Sequence, residues 1–399
     1  MEEKNPPLSG IRVLDFSRVL TGPFCSMILG DLGAEVIKVE LPGVGDETRA
    51  WPPMNEGISS YYLMINRNKK SITLDLKDED AKQALYSIVK KTDVILENFR
   101  PGVAHRLGVD YEALKELKPD IVYCSISSFG QTGPYCLFPG YDMIVQGMSG
   151  IMSVTGHRDG PPVRSGVAIA DIGSAIWAAL SIVVALYQLK ATGLGQYIDV
   201  SMLDCMVSWL TSFAGNYWTT GKTPTRIGNS HPGIVPYRDF LCGDGRYILI
   251  AGNNDRLFRR LCQSIGLENL TNDPRFSTAS SRNENRDLLM PLLEEKFLSR
   301  GRDEWLNILR RTNFPCGPIN SVEEILNDEQ VNNRGMVSEV KHPVIGVLKQ
   351  LGFPIKSTQY EATISLHPPL LGEHTEEILN EVAEYSSEKI NFLKKKGVI

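Results

Sequence analysis

The chain has 399 residues, 42% hydrophobic and 22% charged, the composition of a globular protein long enough for two or three domain-sized units. Its 42 basic and 47 acidic residues leave a net charge of −5 with no long basic block, which excludes the electrostatic footprint of a nucleic-acid binder. The seven cysteines are scattered without a C-x-x-C, the six histidines lack metal-ligand spacing, and the opening MEEKNPPLSG has no apolar stretch, so no disulfide frame, zinc site or secretory signal is expected.

In chain order, GIRVLDF is a β-branched run ending at Asp15 and Phe16 and reads as a strand. SRVLTGP follows as a loop, FCSMILGDLG as a helix stopped at Gly33, and AEVIKVE as a second strand. This β-α-β unit repeats in type. DAKQALYSIVKKT is helical, DVILENF a strand, YEALKELKP a helix and DIVYCSISSFG a strand. The alternation predicts an α/β fold: a large Rossmann-like domain whose parallel sheet carries helices on both faces. Ligands of such sheets bind beyond the carboxyl ends of the strands. There the chain places SRVLTGP, LPGVGDETR, ENFRPG and SSFGQTGP, rich in Gly, Pro, Asn and Arg.

Next comes PPVRSGVAIADIGSAIWAALSIVVALYQL, starting at Pro161, with the single acid Asp171. Its apolar run from Ile172 to Tyr187 is 16 residues. That falls short of the ~20 that span a bilayer, so a buried core helix and no membrane partner are expected. The large domain is expected over 1–205, with a Thr/Gly/Pro-dense linker over 206–236. A smaller α+β domain follows over 237–327, opening with a β-hairpin around Asp244-Gly245. A second linker over 328–350 leads to a return to the large domain over 351–399.

Several motifs fail on inspection. Glu40 at the end of a strand invites a dinucleotide ribose, but the first turn lacks G-x-G-x-x-G. In GNYWTTGKT, five residues separate the glycines where a phosphate loop needs four. No G-x-S-x-G elbow is present, His157 in GHRDG reads as a surface turn, and Cys316 in FPCGPIN has no adjacent base. Asp171 reads either as a helix N-cap or as a nucleophile kept ionised by the helix dipole. Gly173 and Ser174 are expected to keep its approach uncrowded. Spacing alone does not separate the two readings.

Nine stretches in order resemble the family III (CaiB/BaiF type) CoA-transferases: LSGIRVLDFSRVLTGP, LGDLGAEVIKVELPGVGDETR, NRNKKSITLDLK, ENFRPGVAHRLG, SSFGQTGP, PVRSGVAIADIGS, PCGPINSVEEIL, VKHPVIG and PPLLGEHTEEIL. The resemblance implies a nucleophilic aspartate at Asp171, acting through an aspartyl–acyl anhydride and an aspartyl–CoA thioester. It implies acyl-CoA and small carboxylic acids as partners, and no resident cofactor or metal. It implies CoA contacts at Val19, Leu20, Leu74, Lys77, Asn98, Phe99, Arg106 and Tyr141. It also implies an interlocked homodimer.

The chain departs from some relatives at Leu41 and Pro139, where those have basic residues, so the nucleotide grip is expected to differ. A loop AGNND stands where some members have a glycine run, and Gly252 and Asn253 are expected to offer backbone N–H groups there. Related α-methylacyl-CoA racemases pair the aspartate with a histidine, where this chain has Tyr141. Tyrosine, with an ordinary pKa of about 10, substitutes poorly in proton transfer. Transfer is therefore expected over the alternatives of a 2-methylacyl-CoA racemase or a non-catalytic acyl-CoA-binding protein. HPGIVPYRDF, IAGNND, NRNKKSI and PVRSGVA are most similar to succinate–hydroxymethylglutarate (glutarate) CoA-transferases, which implies a dicarboxylate. Arg164 and Arg238 are candidates for its distal carboxylate. The expected setting is cytoplasmic, or the mitochondrial matrix for a mature eukaryotic form.

Overall fold

The computed structural model describes residues 6–399. Strands β1 (Arg12–Asp15), β2 (Glu35–Glu40), β3 (Lys69–Thr73), β4 (Val94–Glu97), β5 (Val122–Ser127) and β6 (Gln196–Ser201) pair in parallel in the order β3-β2-β1-β4-β5-β6. This is a doubly wound sheet whose order reverses between β1 and β4. The loops leaving those two strands therefore open side by side, and a ligand crevice forms between them. Successive strand residues point to opposite faces. Leu14, Ile37, Ile72 and Ile95 enter one core layer with Leu85 and Ile88 of the helix Glu79–Val89. Val13, Val36, Val94 and Leu96 enter the other. Both faces are covered, which is why these strands read as apolar runs.

The second layer contains helices α1 (Thr21–Asp31), α2 (Asp142–Met148), α3 (Ile169–Thr192) and α4 (Met202–Ser208). Helix α3 begins three residues before the apolar run and continues five beyond it. Its 24 residues are long and apolar enough to cross a membrane by length and composition, contrary to the expectation from the shorter run. Its Ala170, Gly173, Ala175, Ala178, Ile182 and Ala185 are buried, and the helix packs on α1 and β5. Ile176, Trp177, Leu180, Val184 and Tyr187 are exposed.

Two compact units result. The larger runs to Ile151, resumes over Arg164–Thr219 and returns over Gln330–Ile399; the smaller takes Met152–Val163 and Thr220–Glu329. The smaller unit has an antiparallel hairpin, Tyr237–Leu241 with Tyr247–Ala251, joined by Cys316–Pro318. Phe240, Ile248, Phe258, Phe297 and Trp305 form its core. The segments expected as linkers are more regular than their composition implies. A helix over Thr211–Thr220 runs into the first, because no proline interrupts it before Pro224. The second contains the hairpin Val337–His342 with Gly346–Leu351, whose strands alternate around a PVIG turn.

Beneath the loop between β1 and α1 lies a cluster of buried charge. Asp15, Lys38 and Lys69 are fully buried, and Asp46 and Glu40 nearly so. The Lys38 ammonium sits 2.9 Å from Asp46 and donates to the Ser17 carbonyl at 2.7 Å. Lys69 donates to the Pro23 carbonyl at 2.8 Å and to Asn66 at 2.9 Å, with Asp15 at 3.6 Å. Asp15 accepts from Ser17 N at 2.8 Å and Ser26 Oγ at 2.5 Å. Two lysines thus hold the loop at the Ser17 carbonyl and the first turn of α1 at the Pro23 carbonyl. Burial works against the Lys38 charge, but Asp46, Asp15 and Glu40 outweigh it and hold the group above the lysine range. Burial also opposes the charge on Asp46, yet Lys38 and the Thr48 N–H pull it to about 2. At Lys69 burial wins and lowers the group to about 7.

Removing one member of a buried pair leaves the other charge without a partner, at a cost of about 3–5 kcal/mol. Lys38→Met is therefore expected to lower the unfolding free energy by about that amount in urea titrations. Stability equal to wild type would mean that Asp46 is not left as an uncompensated buried charge.

Candidate active site

A cleft of about 340 Å³ opens at the carboxyl ends of β1, β4, β5 and β6, all within the larger unit. Arg18, Val19, Leu20 and Thr21 line it after β1, and Asn98, Phe99, Arg100 and Pro101 after β4. Ser127, Ser128, Tyr141, Asp171 and Met202 also line it, with Glu47 and Cys136.

The β1–α1 loop is held in a costly shape. Val19 has φ +67°, a left-handed conformation that costs a β-branched residue about 1–3 kcal/mol. The Asn98 side chain clamps the preceding residue in both directions. It accepts from Arg18 N at 2.8 Å and donates to Arg18 O at 2.9 Å. The Arg18 guanidinium lies 5.7 Å from the centroid of the Phe99 ring. Gly22 permits the tight approach that follows, since a Cβ there would lie 2.1 Å from the Ser17 Cβ. Helix α1 therefore starts with Thr21 facing the cleft wall.

Asp171 is the third residue of α3, not its cap; the N-cap is Ala168, with no side-chain bond. Asp142 takes the capping part, accepting from Ala170 N at 2.9 Å while its other oxygen accepts from Gln146 at 2.7 Å. The half-buried Asp171 carboxylate accepts a hydrogen bond from the Thr21 hydroxyl. Burial is the largest influence and raises its pKa to about 6; Thr21 opposes the rise and Asp142 adds to it. Burial thus makes this carboxylate more basic than an ordinary aspartate while leaving it ionised at neutral pH. Gly173 and Ser174 do not open the approach. Gly173 makes room for Trp209, whose ring would lie 2.5 Å from an added Cβ, and the buried Ser174 hydroxyl donates to Ala170 O at 2.7 Å.

Of the residues expected from sequence, the cleft brings together Val19, Leu20, Asn98, Phe99, Tyr141 and Asp171. Leu74 is in the core, because its place just after β3 sends it inward. Lys77 and Arg106 are exposed and do not line the cleft. Arg164 is exposed and donates to the neighbouring carbonyls of Ser165 and Gly166. Arg238, Gly252 and Asn253 belong to the smaller unit. There Arg238 pairs with Glu294 at 3.2 Å, and the Gly252 N–H is committed to Pro236 O at 2.8 Å. Of the two expected N–H donors, Gly252 is therefore already used. Sequence reading missed Thr21, Arg18, Arg100, Ser127 and Met202. For Thr21, Arg18, Arg100 and Ser127 the signal available was position, since each lies in a strand-end loop already singled out; Met202 follows β6, whose end was not.

Glu97, the last residue of β4, is buried beneath this wall and accepts from Phe99 N at 2.7 Å. Burial raises it to about 7 against the opposing bonds from Ser125 and Phe99, with Asp199 adding to the rise. The arrangement supplies a carboxylate ionised at neutral pH, a hydroxyl on one of its oxygens, and two arginines at the cleft for an anionic ligand. Among the described residues, no group of three or more His, Cys, Asp or Glu side chains could hold a metal.

The model for CoA-transferase family III matches residues 8–375. The chain is 41% identical over 394 residues to the succinyl-CoA:glutarate CoA-transferase of Mus musculus, covering 98% of this chain and 90% of that one. It is 40% identical over 389 residues to the succinate–glutarate CoA-transferase of Agrobacterium fabrum, covering 96% and 97%. The crystal structure of a CaiB/BaiF family protein from Brucella suis superposes with a TM-score of 0.86 at 40% identity, covering 95% of this chain and all of that one.

The raised Glu97 value has a definite sign. Neutral Glu97 adds stability that is complete below its ordinary value of 4.5 and is lost as pH rises to about 7. Glu97→Gln escapes that loss. The thermal midpoint of E97Q should therefore gain on wild type between about pH 5 and about pH 8. An identical difference at both would contradict the buried-acid assignment.

Proposed function

The chain belongs to CoA-transferase family III, and from that premise we propose that it moves CoA from a succinyl-CoA-like donor to a free dicarboxylic acid, with Asp171 as nucleophile. The observation that carries this reading is a carboxylate of pKa about 6 in the wall of a cleft at the sheet's switch point. One Asp171 oxygen attacks the thioester carbonyl, and CoA leaves as thiolate from an aspartyl–acyl anhydride. The thiolate attacks the aspartyl carbonyl, releasing the donor acid and forming an enzyme–CoA thioester. The acceptor carboxylate then enters and the steps run in reverse. Splitting the exchange this way keeps each intermediate activated.

We assign Val19, Leu20, Asn98, Phe99 and Tyr141 to the CoA-binding wall. Arg18 and Arg100 are assigned to its anionic groups, and the exposed Lys77 and Arg106 to the nucleotide end beyond the cleft. Arg164 is the better candidate for the acceptor's distal carboxylate, because Arg238 already has Glu294. The chemistry asks for no resident cofactor, and CoA takes part as substrate. The exposed apolar residues of α3 suit an interlocked homodimer, because Ile176, Trp177, Leu180, Val184 and Tyr187 would then leave water. A reducing cytoplasmic setting suits seven cysteines that are all free.

Incubation with succinyl-CoA and glutarate should yield glutaryl-CoA, and Asp171→Ala should abolish it while leaving the far-UV spectrum unchanged. Since only the carboxylate form attacks, kcat/KM should be level above about 6 and fall below it, following the Asp171 value. Undiminished exchange by D171A would remove Asp171 from the mechanism.

A further inference from the structure

Resting on the reading of Asp171 as nucleophile, we propose that Thr21 is a second catalytic residue, whose hydroxyl stabilises charge on the aspartyl carbonyl when the CoA thiolate attacks it. The Thr21 hydroxyl donates to Asp171 Oδ1. Its other neighbour is the Met202 thioether at 4.0 Å, a weak acceptor, so the proton points at the carboxylate. Thr21 is 4% exposed and has little freedom to turn away. It is the first residue of α1, which the Gly22–Ser17 approach and the Lys69 and Ser26 bonds to Pro23 O hold in place.

This placement distinguishes the two oxygens of Asp171. Oδ1 is engaged by the hydroxyl, and Oδ2 is the one left to attack the acyl carbon. The C–S bond breaks and the electron pair leaves on the thiolate. In the resulting anhydride Oδ2 is the bridging atom and Oδ1 the carbonyl oxygen. When the thiolate attacks Cγ, the carbonyl electron pair moves onto Oδ1, where the Thr21 O–H already points. Collapse breaks the Cγ–Oδ2 bond, releases the donor acid with Oδ2, and leaves the Cγ–S thioester. The acceptor step passes through the same oxyanion in reverse. A donor aimed in advance at an atom where charge develops lowers the barrier without reorganisation.

A hydroxyl that only satisfied a buried carboxylate would hold the fold and leave the rate alone, so the test separates the two. Wild type, Thr21→Val, Thr21→Ser and Thr21→Ala are compared in succinyl-CoA/glutarate exchange across pH. T21V keeps the shape and loses the donor. Its kcat should fall about 100-fold with KM for succinyl-CoA unchanged. Its acid limb should also move to higher pH, because the bond that pulls Asp171 down is gone. T21S should restore both rate and limb, and T21A, an alternative should T21V misfold, should behave as T21V. A T21V or T21A enzyme with wild-type kcat and acid limb, or a T21S enzyme as slow as either, would overturn the assignment. Failure of wild type to exchange CoA, or exchange by D171A, would instead bring down the parent reading.

Discussion

The cleft depends on charges that water never reaches. A loop of five residues between β1 and α1 supplies Val19 and Leu20 to the wall and sets the start of α1 at Thr21, and its geometry is unfavourable on its own. Val19 sits in the left-handed region, and α1 begins at a point where only glycine fits behind it. Lys38 and Lys69 answer that strain by binding the Ser17 and Pro23 carbonyls from below. Their charges are balanced by Asp15 and Asp46 within the same buried volume. Such a cluster adds little net stability compared with apolar packing, but it tolerates only one arrangement of the loop. Specific geometry, more than stability, is what a reacting carboxylate needs from its surroundings.

Asp171 is set between opposing influences. Burial pushes its pKa toward neutrality, which makes an oxygen nucleophile more basic and less firmly solvated. The Thr21 bond pulls the other way and stops the group from becoming a neutral acid. At about 6 the carboxylate is still charged in a neutral compartment. The balance is local: Thr21 comes from α1, Asp142 from α2 and Asp171 from α3, three helices packed over one face of the sheet.

Much of the fold was legible because its signals are periodic. β-Branched runs such as RVLD and EVIKVE alternate with amphipathic helices, and that pattern has few outcomes besides a doubly wound sheet. The strand-end loops were legible for the same reason, and they carry most of the cleft. The charge cluster was not. Lys38 and Lys69 lie within strands, where an isolated lysine reads as a solvated face, and their partners come from distant segments. Thr21 was hidden by distance too, since its partner is 150 residues away. Leu74 followed the resemblance into the site, while the structure turns it into the core. Asp171 looked like a cap because α3 begins three residues earlier than its apolar run suggested, and Asp142 caps from outside.

The most direct test of the central claim is to look for CoA on the protein. Incubating the wild-type enzyme with succinyl-CoA and no acceptor, then digesting it at low pH for peptide mass spectrometry, should reveal CoA attached as a thioester through Asp171, in the peptide containing AIADIGSAIW. Attachment at another residue, or rapid exchange with no attached CoA at any stage, would contradict an aspartyl mechanism in this cleft.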